Sequence, residues 1–310
     1  MSHIEPTRVT FLEDTTYIRD SERKALTEIR PKGFYIRQPP RPYELLDNVT
    51  SEEALFQTID MGAAIVDCDH WTLVVDGLVE RPFFINLAQL RRMPWESIIS
   101  FHECYGSPLT APTKNGTFVW SDGLDSGMFA GVSADRYQKE LPIKKALSLN
   151  VLVAYEMNGQ PVSTERGGPA KLVVPGWYGT NSTKWLCRLS VEETRSSNPF
   201  TTMFYNEVDP TDLSSVRMRP VWEVEPNSMI VRPRPEEMFP CHNHVEVWGG
   251  AWDAEEIVRV EFEWQFFRLR VLFSRSGRCI IQVRATDSVG TQQPLSNRRN
   301  HVPTVQIQIE

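Results

Sequence analysis

From residue 238 onwards the chain is written in short alternating runs, and this pattern restricts the possible folds more than any other feature. VEVWGGAW, IVRVEFEWQF, FRLRVLF, RCIIQVRATDS and VPTVQIQI follow one another with turn residues between them. In RCIIQVRATD, Ile280, Gln282 and Arg284 alternate with Ile281 and Val283, the two-residue period of a strand with one buried face. Closely spaced strands of this kind predict a β-sandwich over 238–310.

Upstream the pattern is mixed. WTLVVDGLV reads as a strand running into a turn at Asp76-Gly77, and NLAQLRRMP as a short amphipathic helix stopped by Pro94. ESIISFHEC is a strand candidate closed by the turn CYGSP. VLVAYEMNG, AKLVVPGWYG and STKWLCRLSV supply further strands. Strands with a few short helices predict an α+β domain over 51–210. Residues 1–50, with RPKGFYIRQPPRPYELL, read as an extended arm. The proline-rich stretch 211–237 reads as a linker or wrapping strand.

The 310 residues suffice for two domains, each with a core. A formal charge of −7 argues against nucleic acid, which needs a basic face. No apolar run is long enough to span a bilayer, and the mixed charges of MSHIEPTRVTFLEDTTYIRD do not suit a secretory or mitochondrial leader. The chain ends in QIQIE, neither a peroxisomal address nor a prenylation box. The expectation is a soluble intracellular protein, of cytoplasm or mitochondrion. Five scattered cysteines, never in a CxxC pair, suit free thiols better than a disulfide scaffold or a four-cysteine zinc site.

Two stretches could carry chemistry. Cys104 stands at the end of that candidate strand, where the chain leaves it, and His102 two residues earlier would share its face on a continued strand. By residue type alone it is a packing residue, a metal ligand or a nucleophile. The run ERGGPAKLVVPGWYGTNSTKWL offers Arg166, Lys171 and Lys184 as cations and Ser182 and Thr183 as hydroxyls, a set suited to a phosphorylated ligand. Its bland reading is a Gly-rich hairpin with solvated basic residues. No P-loop, GxGxxG or GxSxG motif occurs. CHNH at 241–244 reads as a structural or surface strand, and Glu52-Glu53 and Glu255-Glu256 as solvated turns.

Together, VLVAYEMNGQPV, GGPAKLVVPGWYGTNSTKWLCRLSV, FTTMFYN and PVWEVEPNS resemble the sulfite oxidase family of molybdenum-pterin oxidoreductases. GGAW, VRVEF and VRATDSVGTQQP resemble its immunoglobulin-like dimerisation domain, so the resemblance covers roughly 50–310. It implies that the Cys104 thiolate binds molybdenum beside the pterin sulfurs, a soft ligand for such a centre. It implies that Arg166, Lys171, Ser182, Thr183 and Lys184 hold the pterin phosphate and that Tyr205 stands beside the substrate oxyanion. The implied reaction oxidises sulfite, a small anionic substrate, by oxo transfer. Electrons pass to an external acceptor, the implied assembly is a homodimer, and no haem is expected because CxxCH is absent. The rival readings are an S- or N-oxide reductase, a cofactor-poor non-enzymatic variant, and a zinc or thiol hydrolase using His102 and Cys104.

The chain departs from the family pattern around the expected substrate. Gln57-Thr58-Ile59-Asp60 replaces an Arg-Asn-His stretch, Phe204 replaces an aspartate, and Tyr105-Gly106-Ser107-Pro108-Leu109 replaces Ala-Gly-Asn-Arg-Arg. Segments are also shorter than expected between Thr113 and Lys114 and between Phe262 and Glu263.

Overall fold

A computed structural model describes residues 9–12, 23–104, 116–208, 218–254, 265–295 and 300–310. Tyr105–Leu109, the Thr113–Lys114 and Phe262–Glu263 junctions and Glu255-Glu256 lie outside these residues. The described chain is mostly β, with four-residue α-helices at Leu87–Leu90, Ile143–Ala146 and Pro199–Thr202. The first of these begins at Asn86, whose side chain accepts from Gln89 N in a capping box.

The first unit is organised by one six-stranded sheet in the order Thr10–Phe11, Phe83–Asn86, Thr72–Gly77, Leu186–Glu192, Phe118–Gly123, Gln138–Pro142. Thr72–Gly77 and Leu186–Glu192 run parallel, and the other neighbours are antiparallel. The sheet packs on Trp71, Leu73, Ile85, Leu172, Val174, Trp185 and Leu186, all nearly excluded from water. Each large side chain buried there contributes about 1.5–3 kcal/mol relative to exposure. Trp71 satisfies its indole by donating to Leu186 O at 2.9 Å.

Charge is buried in the same sheet. Arg188 on the central strand reaches Asp76 at 3.0 Å and Asp122 at 3.3 Å, on the strands either side. Arg136 meets Asp122 from beyond the sheet at 3.0 Å. Asp122 is fully buried, and Gln138 Nε2 satisfies its other oxygen at 2.6 Å.

The arm contributes two edge strands. Leu26–Lys32 pairs with Gly62–Val66, and Tyr35–Arg37 pairs with Gln57–Ile59. The second unit consists of two three-stranded sheets, Asn227–Arg232/His244–Trp252/Gln265–Leu272 and Met238–Phe239/Thr304–Ile309/Gly277–Gln282. They enclose Ile230, Val245, Val305, Ile307 and Ile309. Asn227–Arg232 falls within the stretch read as linker or wrapping strand, and it pairs with His244–Trp252.

Three local expectations are corrected. ESIISFHEC forms no strand, because its backbone joins no ladder among the described residues, and its Glu103 carbonyl accepts from Gly179 N in a loop instead. In CHNH only His244 is in a strand. Cys241–Asn243 make the preceding turn, with His242 at φ +61°. Glu52 is not simply solvated either, since it accepts from Ser163 Oγ at 2.5 Å.

Candidate functional site

One short strand gathers the candidate residues. Gln57–Ile59 leads into Asp60, and three partners distant in sequence meet this stretch. Thr58 Oγ1 lies 3.8 Å from Cys104 Sγ. The carbonyl of Thr58 accepts from Lys184 Nζ at 2.9 Å. The buried carboxyl of Asp60 accepts from Tyr205 OH at 3.0 Å. The thiol, one cation of the Gly-rich run and the phenol therefore share one wall.

Arg166 fixes the approach to that wall. It sits at the end of the 3₁₀ turn Thr164–Arg166 and donates to the carbonyls of Phe56 at 2.7 Å, Leu55 at 2.9 Å and Glu52. Gly167 follows at φ +99°, and a Cβ there would come within 2.6 Å of Lys184 Cβ. Glycine is required for both the left-handed turn and the close approach. Two segments of the run can thereby lie side by side, with Trp185 N donating to Gly167 O at 2.9 Å.

The remaining members are held differently. Thr183 is fully buried, and its hydroxyl meets Ser121 Oγ at 2.7 Å. Ser182 Oγ accepts from Val174 N at 3.2 Å. Lys171, on the strand Lys171–Val173, is half-buried and has no carboxylate within ion-pair distance among the described residues. Burial, and then Arg166, push its pKa down to about 8, while burial and then Lys171 push Lys184 down to about 7. These cations crowd one another, the signature of a site made for an anion. The buried Thr180 Oγ1 and Asn181 Oδ1 of the same run have no hydrogen-bond partner among the described residues.

Tyr205 follows the helix Pro199–Thr202 and has φ +59°, an unfavourable conformation for a bulky residue. Its surroundings hold it there. Its ring stacks on Phe200 at 6.3 Å, Lys139 Nζ stands 5.5 Å from the ring centroid, and its hydroxyl is bound by Asp60. Burial raises Asp60 to a pKa of about 6, and burial followed by the charge of Asp60 raises Asp125 to about 8.

His102 does not share a strand face with Cys104. Its ring stacks on Phe56 at 5.2 Å and lies against Gly179, where a Cβ would come within 2.5 Å of Cε1. It keeps access to solvent. Burial against its neighbours, then the charges of Lys171, Lys184 and Arg166, lower its pKa. No cluster of three or more potential metal-binding side chains occurs among the described residues.

A family model described as an oxidoreductase molybdopterin binding domain matches residues 60–124 and 108–200. The sulfite oxidase of Gallus gallus is 28% identical over 265 residues, covering 71% of this chain and 58% of that protein. Residues 60–200 therefore carry an oxidoreductase molybdopterin binding domain, and the chain is similar to sulfite oxidases. A nitrate reductase [NADPH] of Beauveria bassiana is 26% identical over 220 residues, covering 54% of this chain and 24% of that one. The solved structure of the sulfane dehydrogenase SoxCD from Paracoccus pantotrophus superposes with a TM-score of 0.69 at 20% identity, covering 97% of this chain and 88% of that one. That likeness is one of fold. The chain spans less than two thirds of the length of the Gallus gallus relative.

A molybdopterin suits this site in two respects. The crowded cations and the orphaned hydroxyl and amide atoms around 180–184 favour an anionic, hydrogen-bonding group. The Cys104 thiol, which shares Thr58 with Lys184, offers the soft donor that a metal–sulfur centre needs. Thr58 and Asp60 were not among the residues singled out as candidates. QTID was conspicuous only as a departure from the family pattern, and its meeting with Cys104, Lys184 and Tyr205 exists only in the fold.

Proposed function

We propose that this chain is a molybdenum-cofactor-dependent oxidoreductase in which Cys104 is the protein's ligand to the metal. Sulfite or a related sulfur oxyanion is the first substrate to test. The overall change converts sulfite and water to sulfate, releasing two protons and two electrons, with the electrons passed to an external acceptor. The observation that carries this reading is the convergence on 57–60 of a thiol, a cation and a phenol.

When bound, the cofactor supplies the two-electron couple and the oxygen-atom transfer. The chain's residues do the rest. Cys104 binds as thiolate. Lys171 and Lys184, with Ser182, Thr183 and Arg166 around them, hold the phosphate end, and Arg166 also secures the strand entrance through three carbonyls. Tyr205 presents a hydroxyl that can donate to a substrate oxygen, and Asp60 holds that hydroxyl in place. By analogy with the relatives' dimerisation domain, the second unit pairs two copies of the chain.

One observation favours a second reading. Asp60 places a carboxyl where the family pattern has a positive side chain nearby, and an ionised carboxylate repels an oxyanion. An uncharged S- or N-oxide, reduced on the same centre, avoids that repulsion.

The test is metal content followed by a redox screen. Protein from a host that makes molybdopterin should carry about one molybdenum per chain by mass spectrometry, and Cys104→Ser should lower retention by about 10²-fold or more. Wild-type protein without molybdenum, or a serine variant loaded as fully, would defeat the reading. Reduction of the loaded centre by sulfite supports the first substrate class. Failure with sulfite, combined with reoxidation by an S- or N-oxide, selects the second.

A further inference from the structure

The segment that carries Cys104 is gripped residue by residue, and half of the grip comes from the second unit. Phe101 lies against Trp252, their ring centroids 6.4 Å apart. The Glu103 carbonyl accepts from Gly179 N at 2.8 Å on the first unit. Its carboxylate turns the other way, accepting from Trp252 Nε1 at 2.7 Å and Asn227 Nδ2 at 3.2 Å.

Those two donors are not independent. Asn227 and Trp252 are directly opposed in the antiparallel pair that opens the second unit, so their side chains project to one face. The Asn227 amide is oriented from behind, its Oδ1 accepting from Ser228 N at 2.9 Å and Gln293 Nε2 at 3.2 Å. Gln293 is fully buried, and its own Oε1 accepts from Ser228 Oγ at 2.7 Å and Ala285 N at 3.0 Å. A chain of fixed hydrogen bonds thus runs from the interior of the second unit to the residue before the thiol.

We propose that Glu103 is a positioning residue, and that the Asn227–Trp252 pair acts through it to set where Cys104 presents its sulfur. The second unit is then part of the metal site as well as a separate body. The functional meaning of this grip rests on the reading of Cys104 as metal ligand, but the grip itself is testable without cofactor.

The test measures alkylation of the full-length chain, made in a host without molybdopterin, by iodoacetamide. Peptide-resolved mass spectrometry follows Cys104, with exposed Cys68 as internal reference. Trp252→Phe keeps the ring and removes one donor, and Glu103→Ala removes the acceptor. Each should speed alkylation of Cys104 by roughly fivefold to tenfold with Cys68 unchanged. Glu103→Gln, which keeps an acceptor for the indole, should restore much of the wild-type rate. Should Glu103→Ala fail to fold, Trp252→Phe carries the test alone. Cys104 rates within about twofold of wild type, or equal acceleration at Cys68 through general loosening, would overturn the proposal. Molybdenum retention by Cys104→Ser separately decides the ligand role, so the two ideas can fail independently.

Discussion

The interiors of the two units differ in kind. The first encloses Asp60, Asp122, Asp125, Lys139, Glu140 and Arg166 among its aromatic and aliphatic side chains. The core between the two sheets of the second is Ile230, Val245, Val305, Ile307 and Ile309, with amide and hydroxyl groups such as Gln293 and Ser228 toward one end. Burying charge is costly unless it is paired, and replacing such groups with apolar ones is often neutral or stabilising. The first unit therefore carries groups that packing alone does not call for. Those near residues 57–60 are the ones whose protonation is displaced, the usual mark of a working site.

The contrast can be broken most sharply at the charge ladder. Asp122→Ala leaves Arg136 and part of Arg188 without their buried partner and should destabilise the chain by about 3–5 kcal/mol. Urea unfolding followed by circular dichroism measures it, and a loss below about 1 kcal/mol would mean the ladder is not a structural pair.

Asp60→Asn tests the opposite case, a charge that costs stability. The folded state raises the Asp60 pKa from 3.8 to about 6. Its contribution to stability is complete below the ordinary value and is lost as pH rises through about 6. The asparagine variant should match wild type near pH 4 and exceed it at pH 7 by on the order of 2–3 kcal/mol. Equal stability profiles across this range in cofactor-free protein would refute the assignment.

In the second unit the effects should be those of plain packing. Ile307→Val removes one buried methylene and should cost about 0.5–1.5 kcal/mol with no pH dependence. Ile280 points outward on the same sheet and is 67% exposed, so Ile280→Ser should change the melting midpoint by less than the equivalent of about 0.5 kcal/mol. A larger loss would show that this face is covered in solution.

Local pattern made much of the fold legible. WTLVVDGLV became the strand Thr72–Gly77, NLAQL became a one-turn helix, and the alternation of RCIIQV became Gly277–Gln282. In each case the two- or fourfold spacing of apolar residues reports which face is buried. ESIISFHEC misled because alternation makes a strand only where the backbone pairs with a neighbour, and this segment joins no ladder among the described residues. Here the segment is held instead by ring contacts, one bond to Gly179 and the carboxylate of Glu103. The basic Gly-rich run was visible, but its division of labour was not. Nothing in ERGG shows that Arg166 would spend its guanidinium on the carbonyls of 52–56.

By itself the sequence determined which groups were available, namely a thiol at 104, cations and hydroxyls over 166–184 and a phenol at 205. It also indicated where most strands and turns could form, since backbone preference and apolar spacing are properties of neighbouring residues. Only the tertiary structure decided that these groups meet on Thr58 and Asp60, across separations of 46, 126 and 145 residues. It alone placed Trp252 on Glu103, 149 residues away. Such contacts depend on how sheets stack and which edges close, and no local run of side chains encodes that.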